Sequence, residues 1–223
     1  MNNLFVFGCS FTYGNGCLSH EAYPKSYHKN EDDLIWPEIV ANEIGYKLYN
    51  CGMGAISNDV IFDNMIEAFD SVSEGDIVVI QKTFTHRFDI APTRKKNQPY
   101  VRKFLTITPQ SHETLKYEGY DSLEIDSILY NTWLMDNELN DMRIDNRFSF
   151  LKKLFLLKGV KKCINWDIVN YMDEKLYERI QEATDGKIID AHWSYNGHKE
   201  FSKIILNKLY QEPLEMVFKT KLI

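Results

Sequence analysis

The chain lacks several features that would assign it to a common class of protein. Its four cysteines form no Cys-x-x-Cys pair and no metal-ligand spacing, so we expect reduced thiols in a cytoplasmic protein. The amino terminus does not resemble a signal peptide, and no apolar run approaches the length of a membrane span. A net charge of −6 argues against a general nucleic-acid binder. We therefore predict no membrane partner, no nucleic-acid partner and no cofactor.

The chain does have enough apolar residues, 44%, to bury one large core, and we expect a single domain over residues 1–223. Residues 4–80 alternate as strand, helix, strand, helix, strand, which is typical of a parallel sheet with crossover helices. Residues 82–122 break this pattern with prolines and charges, and we interpret them as an insertion beside the strand ends. Their cations, at positions 94–103, indicate a solvated loop face or, alternatively, a contact with an anionic partner or substrate.

Apolar periodicity and capping residues predict the individual elements. Strands are predicted at residues 4–7, 47–50, 77–80, 104–108, 162–166 and 187–189. Helices are predicted at residues 36–45, 57–69, 123–142, 146–158, 174–183 and 196–210.

The most informative motif follows the first strand directly and reads Gly8-Cys9-Ser10-Phe11-Thr12-Tyr13-Gly14. A Gly-x-Ser sequence after a buried strand indicates a tight turn that presents a hydroxyl group. The carboxyl end of a parallel strand is where α/β enzymes bind their ligands, and free backbone N–H groups there can bind a developing oxyanion. Ser10 is therefore the predicted nucleophile.

A base for Ser10 follows the last predicted strand, where Asp190 and His192 lie near the same edge of a parallel sheet. In a Ser–His–Asp arrangement, His192 would deprotonate Ser10 and Asp190 would orient the imidazole ring. The alternative is that Asp190 and Ser194 only cap the last helix and His192 is a surface residue. His198, the rival base, is interpreted as structural because the helix dipole disfavours a charged ring there. The six-residue spacing of the two histidines matches no standard zinc pattern, and no metal is predicted.

These motifs resemble the conserved blocks of the SGNH or GDSL hydrolase family. The first block matches the run from Gly8 to Gly14, with Cys9 in place of the family's Asp. The glycine of the second block matches Gly54, and the last block matches Asp190 and His192, although only one residue separates them instead of two. A Trp-Pro pair before a helix, found here at positions 36–37, frequently accompanies these blocks.

The resemblance covers residues 4–80 and 187–210. It implies a three-layer α/β/α fold of the flavodoxin-like type with a parallel sheet of about five strands. It also implies a serine esterase that forms an acyl-enzyme on Ser10 with His192 as general base, acting on a small-molecule or glycan ester such as an acetylated carbohydrate. Two alternatives stay open: a carbohydrate O-acyltransferase, and a non-catalytic binding or structural module with the same fold.

The third block of the family, whose asparagine donates to the oxyanion, has no match after the central strand. The oxyanion hole implied by the resemblance then consists of the backbone N–H groups of Ser10 and Gly54 and one further donor. We assign that donor to Asn58, for which a helix cap is the alternative. The other candidates are Gln81, Thr83 and Arg87, the last with a structural ion pair as its alternative.

Overall fold

The computed structural model describes residues 1–14, 34–90, 105–108, 111–117, 119–135, 138–171, 179–181 and 188–211. The strands in these ranges are β1 (Asn3–Gly8), β2 (Lys47–Gly52), β3 (Ile77–Lys82), β4 (Phe88–Ile90), β5 (Leu105–Ile107), β6 (Lys162–Asp167), β7 (Arg179–Gln181) and β8 (Ile188–Trp193). The helices are α1 (Ser10–Tyr13), α2 (Trp36–Ile44), α3 (Asn58–Ala68), α4 (His112–Tyr117), α5 (Ser122–Met135), α6 (Glu138–Leu157) and α7 (Tyr195–Tyr210), with 3₁₀ turns at Phe69–Ser71 and Ile168–Tyr171. None of the described helices is long and apolar enough to cross a membrane.

A parallel sheet with the strand order β2-β1-β3-β6 is the centre of the fold. Helices α2 and α7 contact one another, as do α3 and α6, so that helices flank the sheet in an α/β architecture. The predicted fold class is confirmed. The chain adds strands on one side of β1 and then on the other, so the switch point of the sheet lies between β1 and β3. Ligands of doubly wound sheets bind at such a switch point, outside the carboxyl ends of the strands.

The helices beside the switch point begin and end where capping chemistry predicts. The N–H of Ile35 donates to the carboxylate of Glu38 at 2.9 Å at the start of α2, and Gly45 ends that helix with a left-handed φ of 69°. Ser57 caps α3 by accepting hydrogen bonds from the N–H groups of Asp59 and Val60. Helix α3 packs on β1 and helix α2 on β2, and the residues of the two central strands, β1 and β3, are almost all buried.

The carboxyl-terminal part of the chain departs from the prediction. The strand predicted at 187–189 is β8, and it pairs antiparallel with β7 rather than extending the parallel sheet. The helix predicted at 174–183 is wrong at residues 179–181, which form β7, and the rest of that range lies outside the described residues. Residues 179–181 pair with β8, and such a non-local pairing overrides a local helical pattern.

The predicted insertion contains an antiparallel pair, β4 and β5, followed by α4. Its small apolar cluster consists of Ile107, Leu115 and Ile125, with Phe88 packed against it. The basic run of the insertion lies outside the described residues. Because β4 is antiparallel to β5 and in a separate sheet, the insertion does not interrupt the ladder of the main sheet.

Candidate active site

The predicted nucleophile lies in the turn that follows β1, at the switch point of the sheet. Ser10 is the first residue of the short helix α1, which ends at Gly14 with a left-handed φ of 87°. Ser10 is only 3% exposed, and its Oγ lies 3.9 Å from the Sγ of Cys9, to which it donates. Ser10 is therefore almost fully enclosed in the turn.

Gln81, near the end of β3, forms hydrogen bonds with the turn that carries Ser10. Its Oε1 accepts hydrogen bonds from the N–H of Cys9 at 3.1 Å and from the hydroxyl of Thr12 at 2.5 Å. Its Nε2 donates to the Sγ of Cys9 at 2.9 Å. Gln81 is a candidate oxyanion donor on sequence grounds; its side chain is fully buried, and its bonds to the turn leave one N–H of Nε2. Its role here is to position the segment that carries Ser10.

There is no room for a side chain at Gly8, between the turn and Gln81. A Cβ atom on Gly8 would lie 2.3 Å from the Oγ1 of Thr12 and 2.4 Å from the Oε1 of Gln81. Both distances are far inside van der Waals contact, and both atoms belong to the buried hydrogen-bond network. The glycine that opens the motif is therefore required by the close approach of Gln81 and not by backbone conformation.

The end of β2 supports the turn from the other side. The Nδ2 of Asn50 donates to the carbonyl of Thr12 at 3.1 Å, and the N–H of Met53 donates to the carbonyl of Gly8 at 3.0 Å. Gly54, the predicted oxyanion donor from this segment, follows immediately. Ala55 comes next with a φ of 54°, a left-handed conformation that is unfavourable for a residue with a side chain. This segment is thus fixed against the Ser10 turn in a strained conformation.

The Trp-Pro pair at the start of α2 also has a structural explanation. The buried indole of Trp36 donates from Nε1 to the carbonyl of Phe11 at 3.1 Å. Its backbone N–H donates to the Nδ1 of His198 at 3.4 Å. Trp36 therefore connects the Ser10 turn to α2 and α7.

The predicted base approaches the same turn from β8. The ring centroid of half-buried His192 lies 4.7 Å from that of Phe11, the residue after Ser10, and the ring of Trp193 lies 5.0 Å from Phe11. The structure thus brings His192 beside the neighbour of Ser10. The backbone of Asp190 belongs to β8, but its side chain lies outside the described part of the structure. The triad of Ser10, His192 and Asp190 stays a prediction.

His198, the rival base, is buried and uncharged. Burial, reinforced by the charge of nearby His192, lowers its pKa to about 3. A base of that strength is poorly matched to proton transfer near neutral pH. Its Nδ1 already accepts the hydrogen bond from Trp36, and its Nε2 therefore carries the proton of the neutral ring. These contacts agree with the structural role predicted for this residue.

The remaining candidate oxyanion donors are connected by hydrogen bonds to Thr83, the residue after β3. The buried amide of Asn58 bonds twice to the backbone of Thr83: Nδ2 donates to its carbonyl at 2.9 Å, and Oδ1 accepts from its N–H at 2.8 Å. This leaves one N–H of the Asn58 amide for an oxyanion. The guanidinium of Arg87 donates to the hydroxyl of Thr83 at 3.2 Å and to the carbonyl of Ile56 at 3.4 Å. The donor role of Asn58 stays a prediction.

The fold and the position of this site define a doubly wound α/β protein with a candidate site at its switch point. The chain belongs to the same family as the uncharacterized protein ORF158 of Acidianus bottle-shaped virus, with which it shares 31% identity over 138 residues, 56% of this chain and 72% of the viral protein. No family model matches the chain.

Two solved structures resemble the chain along most of its length. One is a member of the lipolytic G-D-S-L family from Veillonella parvula, with 14% identity, a TM-score of 0.37, and coverage of 93% of this chain and 97% of that one. The other, from Desulfitobacterium hafniense, is described as a lipolytic protein of the same family, with 11% identity, a TM-score of 0.34, and coverage of 92% of this chain and 99% of that one.

Proposed function

We propose that the chain is a serine esterase with Ser10 as nucleophile and His192 as general base. The observation that supports this most directly is the distance of 4.7 Å between the rings of His192 and Phe11, because Phe11 is bonded to Ser10. Phe11 and His192, which are far apart in the sequence, thus lie together beside the switch point, where doubly wound folds bind their ligands. The imidazole of His192 is only partly buried, which leaves part of the ring open to a substrate.

The proposed reaction has two half-reactions. The Oγ of Ser10 attacks the ester carbonyl carbon while His192 takes the hydroxyl proton, and the carbonyl oxygen becomes an oxyanion. When this intermediate collapses, the bond to the alcohol breaks and the alcohol leaves with the proton from His192. Water, deprotonated by His192, then attacks the acyl-enzyme and releases the acid and the free hydroxyl of Ser10. Asp190 is the proposed partner that orients the ring of His192.

The proposed oxyanion donors are the backbone N–H groups of Ser10 and Gly54 and the amide of Asn58. The N–H of the first residue of a helical turn has no partner within that turn, which makes the Ser10 N–H available. The strained conformation of Ala55 supports a functional role for the neighbouring Gly54, because such conformations concentrate at active sites. Loss of one such donor typically lowers the rate by about 100- to 1000-fold.

The substrate proposed is an ester with a small acyl group, such as an acetylated carbohydrate. Replacement of Ser10 by alanine is the decisive test, with p-nitrophenyl acetate as substrate. We expect kcat to fall on the order of 10⁴-fold or more, because the proposed acyl-enzyme forms on the Oγ of Ser10. Ser73→Ala, which changes an exposed serine far along the chain, is the matched control and should retain full activity.

Labelling with a fluorophosphonate probe separates the proposal from its alternatives. The wild-type protein should be labelled at Ser10, and Ser10→Ala should not. Absence of both labelling and hydrolysis in the wild type would indicate a non-catalytic module. If an added acceptor sugar, and not water, takes the acyl group from the enzyme, the protein is an O-acyltransferase.

A further inference from the structure

Helix α6 carries large apolar side chains on two opposite faces. On one face, Ile144 and Phe148 are buried in the main core. On the other face lie Leu139, Met142 and Phe150, which are between 57% and 76% exposed. A helix on the surface of a globular protein usually has one apolar face, which it packs on the core, and a polar face toward solvent. The second apolar face of α6 is therefore the kind of exposed patch that marks an interaction surface.

We call this exposed surface the α6 face and define it by Leu139, Met142, Asn146, Phe150 and Lys153, all of which are exposed. Successive members are three or four positions apart, so they form one narrow stripe along the helix. A mostly apolar groove of about 590 Å³ runs beside the stripe, between α3 and α6. Neither Asn146 nor Lys153 forms a hydrogen bond or an ion pair with another residue in the described ranges. Both polar side chains of the stripe can therefore bind to another molecule.

We propose that the α6 face binds a second copy of the chain, so that two α6 helices pack antiparallel about a two-fold axis at Asn146. In such a pair, residues that are equally distant from Asn146 in the sequence face one another across the axis. Met142 of each copy then packs on Phe150 of the other copy. The two Asn146 amides meet on the axis, where each can donate a hydrogen bond to the carbonyl oxygen of the other. The α6 face is thus complementary to itself.

The charged residues beside the α6 face favour the antiparallel arrangement. Glu138 and Lys153 lie toward the same edge of the stripe, and a two-fold axis perpendicular to the helices brings the same edge of both copies together. Glu138 of each copy then faces Lys153 of the other copy, and neither residue has an ion-pair partner among the described residues. On the opposite edge, the guanidinium of Arg143 lies beside Phe150 of the other copy, where it can bind the ring face. A parallel pair would instead place the two Lys153 ammonium groups against one another.

The α6 face is large enough for a weak but specific dimer. Large side chains have roughly 150–250 Å² of surface each, so the exposed residues of the face, with Arg143 beside them, present on the order of 500 Å² per copy. Two such surfaces together bury about 1,000 Å², which is close to the lower limit for a specific interface. The two-fold symmetry repeats every contact, so a modest patch reaches the size that association requires. This interface does not depend on the reaction proposed at Ser10.

Sedimentation-velocity ultracentrifugation of the full chain, from about 1 to 300 µM, measures the association. We expect a monomer–dimer equilibrium for the wild type. Phe150→Glu places a charge in each contact with Met142 and should raise the dissociation constant by about tenfold or more. Tyr210→Glu makes the same kind of change at a similarly exposed aromatic residue of α7, which packs against α2, and should dimerise like the wild type. Ser10→Ala should also dimerise normally, which separates failure of this proposal from failure of the proposed esterase.

An exchange of charges tests the antiparallel register and keeps the test decisive if Phe150→Glu does not fold. Glu138→Lys should weaken dimerisation roughly tenfold, because lysines then face one another at both ends of the pair, and Lys153→Glu should do the same with carboxylates. An equimolar mixture of the two variants should recover the wild-type association, since each of these contacts in the mixed dimer again joins opposite charges.

The proposal is overturned if the wild type sediments as a monomer over the whole concentration range, which would leave the α6 face to a different protein. It is also overturned if Phe150→Glu folds and dimerises like the wild type. A mixture of the charge variants that associates no better than either variant alone would equally contradict it.

Discussion

The turn that carries Ser10 and the carboxyl end of β6 lie at the same edge of the parallel sheet. They differ in whether their buried polar groups form hydrogen bonds. In the turn, both ends of the Gln81 amide bond to groups of Cys9 and Thr12. In β6, the Oδ1 of Asn165 is buried and has no hydrogen-bond partner among the described residues. A fully bonded network fixes one geometry, whereas an unbonded atom costs stability until something binds to it. The comparison separates a preorganised scaffold from a strand end whose buried acceptor has no described partner.

The strongest test of the scaffold is Gly8→Ala. The added methyl group would lie 2.3 Å from the Oγ1 of Thr12 and 2.4 Å from the Oε1 of Gln81, so it must displace the network itself. We expect a loss of about 3 kcal/mol or more in the free energy of unfolding, at the upper end of overpacking costs. Urea denaturation followed by circular dichroism measures it.

The control for this change is Gly45→Ala at the end of α2, where a Cβ atom would meet nothing within 4 Å. Its φ of 69° makes alanine unfavourable through backbone conformation alone, at about 1 kcal/mol. A loss for Gly8→Ala no larger than that of Gly45→Ala would show that the turn can yield, and the scaffold interpretation would be wrong.

The comparison itself is tested by one kind of substitution made in both regions. Gln81→Leu leaves the N–H of Cys9 and the hydroxyl of Thr12 buried without their acceptor, and we expect a loss of about 2 kcal/mol in unfolding free energy. Asn165→Leu removes an unbonded acceptor, and we expect no loss or a small gain. Urea denaturation of both variants gives the two values. Equal losses would remove the distinction between the two regions.

The elements around the switch point could be predicted because their signals are local. The apolar runs at residues 4–7, 77–80 and 162–166 correspond to β1, β3 and β6, and the Ser57 cap and Gly45 bound α3 and α2. Each of these signals lies within a few residues of the element that it defines. The predicted boundary between the two long helices, after residue 142, is wrong because α6 already includes Leu139 and Met142. Their apolar side chains continue the pattern of α5, which hides the break.

The site was predictable only as far as its motifs reach. Ser10 and His192 stand in motifs, and the structure brings His192 beside the neighbour of Ser10. The role of Gln81 could not be inferred, because its partners lie 72 and 69 residues away and a glutamine in a strand carries no signal of what it contacts. The unpartnered acceptor of Asn165 was missed for the same reason, since an asparagine inside a strand carries no signal of what surrounds its side chain.

A pH-dependent effect is expected for His198, which belongs to the bonded region through its contact with Trp36. Its pKa of about 3 in the folded protein lies below the ordinary value of 6.5, so the unfolded chain binds a proton that the folded chain does not. The stability that this provides is fully present above pH 6.5 and is lost as the pH falls toward 3. Each pH unit in this window should cost about 1.4 kcal/mol.

His198→Gln isolates this contribution, because an amide oxygen can still accept from the N–H of Trp36 but does not titrate in this range. Thermal denaturation between pH 6 and pH 4 should show a steeper decline in the wild type than in the variant, whatever their absolute stabilities. Parallel declines would mean that His198 is protonated in the folded protein. In that case its ring would be accessible to solvent, and His198 would return as a rival to His192 for the role of base.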